Sequence, residues 1–90
     1  MAIDNYGGNA VYANQSYVSA EEADFVSGDH TFTNIPTALS CSATGTLRVD
    51  FLNAGTNVPV YVLPGENKMR VTKIYAVASG SSNISVTGLY

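Results

Sequence analysis

The chain contains no tryptophan, one cysteine and one histidine. A single cysteine cannot close an intrachain disulfide or supply a cysteine-rich zinc site. A single histidine excludes a multi-histidine metal centre, and no cofactor is expected. Charge is sparse, at 12% of 90 residues, with four lysines and arginines against seven aspartates and glutamates. The net charge of −3 comes with no basic stripe, so nucleic acid is not an expected partner. No apolar run approaches the roughly 18 residues of a membrane span, and no membrane partner is expected. Met1-Ala2-Ile3-Asp4 lacks the basic and apolar regions of a secretory signal, and the lone cysteine fits a reducing compartment. With 46% hydrophobic residues, the chain is too apolar for a solvated disordered segment. A small β-rich domain is the class that survives.

Size shapes the next expectation. A domain this small buries only about 60% of the surface its unfolded chain exposes, and one small core supplies only ~3–5 kcal/mol. Without disulfides or metal ligands, self-association is the remaining source of stability, so a homo-oligomer of three to six copies in a ring is expected.

The chain divides into an N-terminal arm, residues 1–29, and a β-sandwich domain, residues 30–90. The arm is rich in Asn, Ala, Gly, Ser and Tyr, and its five charges are Asp4, Glu21, Glu22, Asp24 and Asp29. Residues 30–90 hold all four cations against Asp50 and Glu66, a net +2 facing the arm's −5. Opposite charge suits an arm that lies on a neighbouring subunit. Tyr6, Tyr12, Tyr17 and Phe25 are its expected partner contacts, because tyrosine gives contact area at low entropic cost. Ser19 as N-cap with Glu22 three residues on reads as a capping box, predicting a short helix over residues 19–25.

From His30 the hydrophobic period becomes two. Residues 30–35 alternate around Phe32, and residues 46–52 place Leu47, Val49 and Phe51 on one face against Arg48 and Asp50 on the other. Residues 58–63 put Val58, Val60 and Val62 together, and Pro59, lacking an N–H, marks a sheet edge or the start of a strand. Pro64-Gly65 suits a type II turn. Residues 69–78 read as one long central strand, and residues 83–90 close the chain with Ile84 and Val86 inward. Five or six short strands at this spacing predict an all-β fold, a small antiparallel β-sandwich or jelly-roll-like barrel. The expected core is Leu47, Val49, Phe51, Val60, Val62, Val71, Ile84 and Val86.

No set of residues predicts catalysis. Asp29 and His30 adjoin, with Ser27 nearby, but neighbours in a strand point to opposite faces, which suits a base and its orienting acid poorly. Cys41 has no basic neighbour to favour thiolate and reads as a small buried hydrophobe. Glu21, Glu22 and Asp24 lack the ligand spacing of a calcium loop. Gly7-Gly8 and Gly80 stand outside any phosphate-binding pattern. Lys68, Arg70 and Lys73 are too scattered for a nucleic-acid face.

Residues 64–90 carry a recognisable pattern: Pro64-Gly65, Arg70-Val71-Thr72-Lys73-Ile74, Ala78-Ser79-Gly80-Ser81-Ser82, Ile84 and a final Leu89-Tyr90. It resembles the C-terminal half of small phage head proteins, the spike base proteins of gene transfer agents and related tailed phages. Thr46-Leu47-Arg48-Val49 matches that family's earlier strand loosely, while Lys68-Met69 stands where the family carries proline. The resemblance implies a non-catalytic structural virion protein on the capsid surface, synthesised in the host cytoplasm. It would bind the major capsid protein and its own copies, trimer to pentamer, as a decoration, cement or spike base subunit, with a fibre or spike protein as a further partner. Two other readings stand beside it. One is a tail or baseplate adaptor joining a fibre to the particle. The other is a carbohydrate-binding module using Tyr61, Tyr75 and Tyr90.

Overall fold

The computed structural model describes residues 17–90. The strands are β1 (Ala20–Ala23), β2 (His30–Thr31), β3 (Ala38–Cys41), β4 (Gly45–Phe51), β5 (Val58–Val62), β6 (Gly65–Asn67), β7 (Val71–Ile74) and β8 (Val86–Leu89), with one 3-10 turn at Val77–Ser79 among the described residues. They form two four-stranded antiparallel sheets, ordered β1-β8-β3-β6 and β2-β7-β4-β5.

This order has a simple origin. The pairs β1–β8, β2–β7, β3–β6 and β4–β5 are those of one long hairpin with its tip between β4 and β5. Rolling that hairpin sends alternate pairs to alternate sheets, and the β3–β8 and β4–β7 ladders join successive wraps. The result is an eight-stranded jelly roll. Connections β1–β2, β3–β4, β5–β6 and β7–β8 lie at one end. The other three lie at the opposite end, where the chain enters β1 and leaves β8. Val18 and Ser19 donate to the Tyr90 carbonyl there, at 2.8 and 2.7 Å, and Tyr90 donates back to Ser19 at 2.9 Å.

The core lies between the sheets and comprises Ala23, Phe25, Phe32, Leu39, Cys41, Leu47, Val49, Val62, Val71, Ile74 and Val86. Of the expected core residues, Leu47, Val49, Val62, Val71 and Val86 are buried, while Phe51, Val60 and Ile84 are partly buried and pack against them. Gly88 makes room for this packing, since a Cβ there would stand 2.8 Å from the Phe32 ring and 3.2 Å from Pro36 Cβ.

Four expectations are corrected. Residues 19–25 are not helical: Ala20–Ala23 is the edge strand β1, paired with β8 from Ala20–Leu89 to Ala23–Val86. Phe25, expected as an arm contact, is a core residue at 2% exposure, so the folded domain begins before residue 30. Residues 69–78 are not one strand, because β7 ends at Ile74 and the chain turns into the 3-10 segment. Within β7 a register shift opposite Asp50 and Phe51 breaks the alternation, so that Val71 and Ile74, three apart, are both buried. Strands β3 and β6 had no counterpart in the sequence, where Pro64-Gly65 reads only as a turn.

Gly65, with φ of +98°, turns the chain between β5 and β6, the left-handed conformation expected of it at a type II turn.

Candidate interaction surface

The chemistry-bearing side chains are built into the fold. His30 on β2 and Glu21 on β1 meet across the gap between the two sheets, with His30 Nε2 2.9 Å from Glu21 Oε2 and side-chain exposures of 18% and 17%. The Thr33 amide donates to both carboxylate oxygens at 3.1 and 3.2 Å, and His30 packs edge-on against Phe32 at 4.8 Å. Burial pushes the Glu21 carboxyl up, but the Thr33 amide and the His30 ring outweigh it and hold the group below its ordinary 4.5. This is a clasp between sheets. Asp29, turned away from His30, accepts the Ala76 N–H at 2.8 Å and lies 3.8 Å from Lys73 Nζ. Ser27 is exposed.

Cys41 is buried, and its burial raises the thiol above its usual range against a smaller opposing effect from Asn67. The acidic trio is divided: Glu21 holds the clasp, Glu22 is exposed, and Asp24 accepts the Val26 N–H at 3.4 Å. No group of three metal-ligating side chains occurs among the described residues. No helix of the described residues is long and apolar enough to cross a membrane. The cations are dispersed too. Lys73 sits 4.6 Å over the Tyr75 ring and 4.0 Å from Asp50. Arg70 donates to the Pro36 carbonyl at 3.1 Å, and Lys68 is exposed.

The outward face of β5 is different. Pro59, Tyr61 and Leu63 alternate along it, all exposed, with Tyr61 at 68% and Leu63 at 56%. No charge interrupts residues 58–65. The backbone beneath this stripe is closed off. Thr46 and Arg48 send their amides to Ser82 Oγ and Ser81 Oγ, each at 3.0 Å. Their carbonyls accept from Ser82 at 2.7 Å and Tyr75 at 2.8 Å. Both residues therefore point away from β5. Their partners Tyr61 and Pro59 must direct their own backbone groups to the open edge, where a proline sacrifices no ladder bond. At one end of that edge Asn57 donates to Asp50 Oδ1 at 2.8 Å and its carbonyl accepts Arg48 Nη2 at 2.9 Å. At the other, Asn67 receives the Leu63 N–H at 3.1 Å and donates to the Leu63 carbonyl at 2.9 Å. Side chains thus blunt the two ends of the edge, the Tyr61 backbone between them has no partner among the described residues, and above it β5 offers its apolar face.

Asp50 organises the neighbouring surface. Besides Asn57 it accepts the Tyr75 hydroxyl at 2.8 Å. The Asn57 amide is the main cause of its lowered pKa, ahead of an opposing burial effect and the help of Tyr75 and Lys73. The same hydrogen bond is the main cause of the raised Tyr75 pKa.

Of the three tyrosines considered as a sugar platform, Tyr61 and Tyr75 lie on one sheet and Tyr90 lies apart. Tyr61 is exposed on β5 and Tyr75 is tied to Asp50 on the same sheet. Tyr90, beyond β8, belongs to the other sheet's end and holds the Ser19 backbone. Of the expected arm contacts, Tyr17 is half-buried at the entry to β1, whereas Tyr6 and Tyr12 lie outside the described residues. The uncharged β5 stripe is readable as a strand face in the sequence, but the bonds of Ser81 and Ser82 beneath it are not. Compared with known proteins, the chain matches no family model, no curated protein and no solved structure.

Proposed function

We propose that this chain is a non-catalytic structural subunit of a tailed-phage virion, an oligomeric decoration, cement or spike base protein on the capsid exterior. The observation that carries the reading is the uncharged outward stripe of Pro59, Tyr61 and Leu63 on a rigid strand. It sits in a molecule whose Glu21, Asp29, His30 and Cys41 are committed to internal contacts. Aromatic and aliphatic groups free of charge are the composition of an interface centre. The jelly roll adds weight, because viral capsid domains use it; lectins use it as well, and fold alone does not decide function. The turn-and-strand pattern of residues 64–90 points the same way. Many copies on one particle would convert weak single contacts into stable attachment.

The test is to label the protein with antibody on intact particles produced by the cell that encodes it. Label distributed over the head supports the proposal. Label confined to the tail tip replaces it with the adaptor reading, and absence from particles overturns it. Saturable binding of the purified protein to a glycan array would instead favour the carbohydrate-binding reading, with Tyr61 as its exposed aromatic.

A further inference from the structure

Backbone groups at a sheet edge bond water or another strand. The edge strands β1, β6, β2 and β5 each leave some open among the described residues. Ser19 and Tyr90 exchange both backbone bonds, so Glu21 and Ala23 bond β8 while Ala20 and Glu22 turn outward. The Phe32 amide bonds the Thr72 carbonyl at 2.9 Å, so Thr31 turns outward on β2. The Ser42 amide bonds the Ser85 carbonyl at 3.0 Å. Leu39 and Cys41 therefore bond Asn67 and Gly65, and Glu66 turns outward on β6. On β5 the open groups are those of Tyr61 and the Pro59 carbonyl.

Side chains separate these edges. Glu22 is exposed with Asp24 following it, and Glu66 is exposed. Two copies paired about Glu66 would set like charges directly opposite, which is destabilising. Pairing both Ala20 and Glu22 needs an axis at Glu21, which crowds Glu21 and Glu22 of one copy against those of the other. Thr31 stands between exposed Asp29 and Thr33 and offers no apolar side chain to bury. Tyr61 stands between Pro59 and Leu63, all three exposed, in a stretch from 58 to 65 with no charge.

The β5 edge is complementary to itself. In an antiparallel pair with its axis at Tyr61, the two Tyr61 residues exchange both backbone bonds. Pro59 of each copy then faces Leu63 of the other. Pro59 has no N–H to satisfy, and the Leu63 N–H already bonds Asn67 Oδ1 at 3.1 Å. Val60 and Val62 bond β4. No N–H from Pro59 to Leu63 is stranded by the contact. On the outward face Tyr61 meets Tyr61 and Pro59 meets Leu63, aromatic and aliphatic pairs that favour a sheet.

We propose that two copies pair antiparallel through their β5 edges about a two-fold axis at Tyr61. The contact joins two β2-β7-β4-β5 sheets and merges two stripes into one uncharged outward face. The inference rests on the self-association in the reading above and supplies one of its contacts. The same patch serves both copies, so the contact admits only even numbers of copies, and four within the trimer-to-pentamer range.

The test uses the full chain with a short bis-maleimide, against a native cysteine, Cys41, that is buried. Tyr61→Cys should cross-link to itself several-fold more than Leu63→Cys, whose two thiols would stand about 13 Å apart along the paired strands. Mixing Pro59→Cys with Leu63→Cys should restore the product. No covalent pair in either sample overturns the proposal. So does a mixture of Thr31→Cys and Tyr61→Cys that cross-links better than Tyr61→Cys alone, which would make the contact head-to-tail from β5 to β2. Tyr61→Lys supplies the second measurement. It sets two cations opposite each other at an exposed site, so circular dichroism should match the wild type while the native mass halves. An unchanged mass, or an odd number of copies in the wild type, overturns the proposal and leaves the capsid reading standing. Absence of the protein from particles defeats the capsid reading whatever the cross-linking gives.

Discussion

Removing the Glu21 carboxylate should unfasten one side of the jelly roll. Glu21 ties β1 by hydrogen bonds to both His30 and the Thr33 backbone across the sheets. Each charge-assisted hydrogen bond of this kind contributes ~1.5–3 kcal/mol when desolvated. Thr33 is exposed and can bond water instead, so the His30 contact carries most of the loss, and Glu21→Ala should cost about 2 kcal/mol. For a domain of this size, that corresponds to a fall in melting temperature of roughly 8–16 °C. The assay is thermal unfolding followed by circular dichroism at neutral pH, with His30→Ala and the double variant completing a cycle. The double variant should be little worse than Glu21→Ala alone. The pH dependence has a definite sign. Glu21 is held below its ordinary 4.5 in the folded state, so its contribution is complete above that value and is lost as pH falls through the lowered folded value. Wild type and Glu21→Gln should therefore converge in acid. A Glu21→Ala protein that melts within about 2 °C of wild type would refute the clasp. So would a gap to Glu21→Gln that persists in strong acid.

Gly88→Ala should lower stability by ~1–3 kcal/mol through overpacking, because the new methyl meets the Phe32 ring and Pro36; a denaturant melt with an unchanged midpoint would contradict this. Asp50→Asn should move the Tyr75 hydroxyl back toward its ordinary 10, read as an earlier absorbance rise in an alkaline titration, and no change would mean the hydrogen bond is not what raises it. Tyr61→Ala should change stability by no more than about 0.5 kcal/mol, as for an ordinary surface site, while weakening attachment to particles. Equal attachment by wild type and variant would remove Tyr61 from the interface.

The legible parts of this fold are those where one face is buried and the other wet. β4 alternates cleanly because Leu47 and Val49 enter the core while Arg48 and Asp50 hold the surface network. Pro59 allowed an edge strand or a strand start, and both hold: β5 lies at the edge of its sheet and Pro59 is its second residue. β3 escaped because Ala38, Leu39 and Cys41 are all buried, so no polar residue marked the period except Ser40. β1 was misread because Ser19 and Glu22 stand at capping-box spacing. That local pattern yields to the backbone bonds between Ser19 and Tyr90, a partner 71 positions away along the chain. β7 was overextended because Ala76, Val77 and Ala78 look strand-compatible. The chain turns there because the Asp29 carboxylate takes the Ala76 amide. The candidate surface was half legible: its apolar residues stood in the sequence, while the direction of the backbone beneath them is set by Ser81 and Ser82, far along the chain from Thr46 and Arg48.

The central claim is that this domain works as an assembled subunit. Its most direct test is the native mass of the full chain at low micromolar concentration, by sedimentation or native mass spectrometry. The account predicts a discrete oligomer of three to five copies. A folded, monodisperse single chain for the wild-type protein would contradict it.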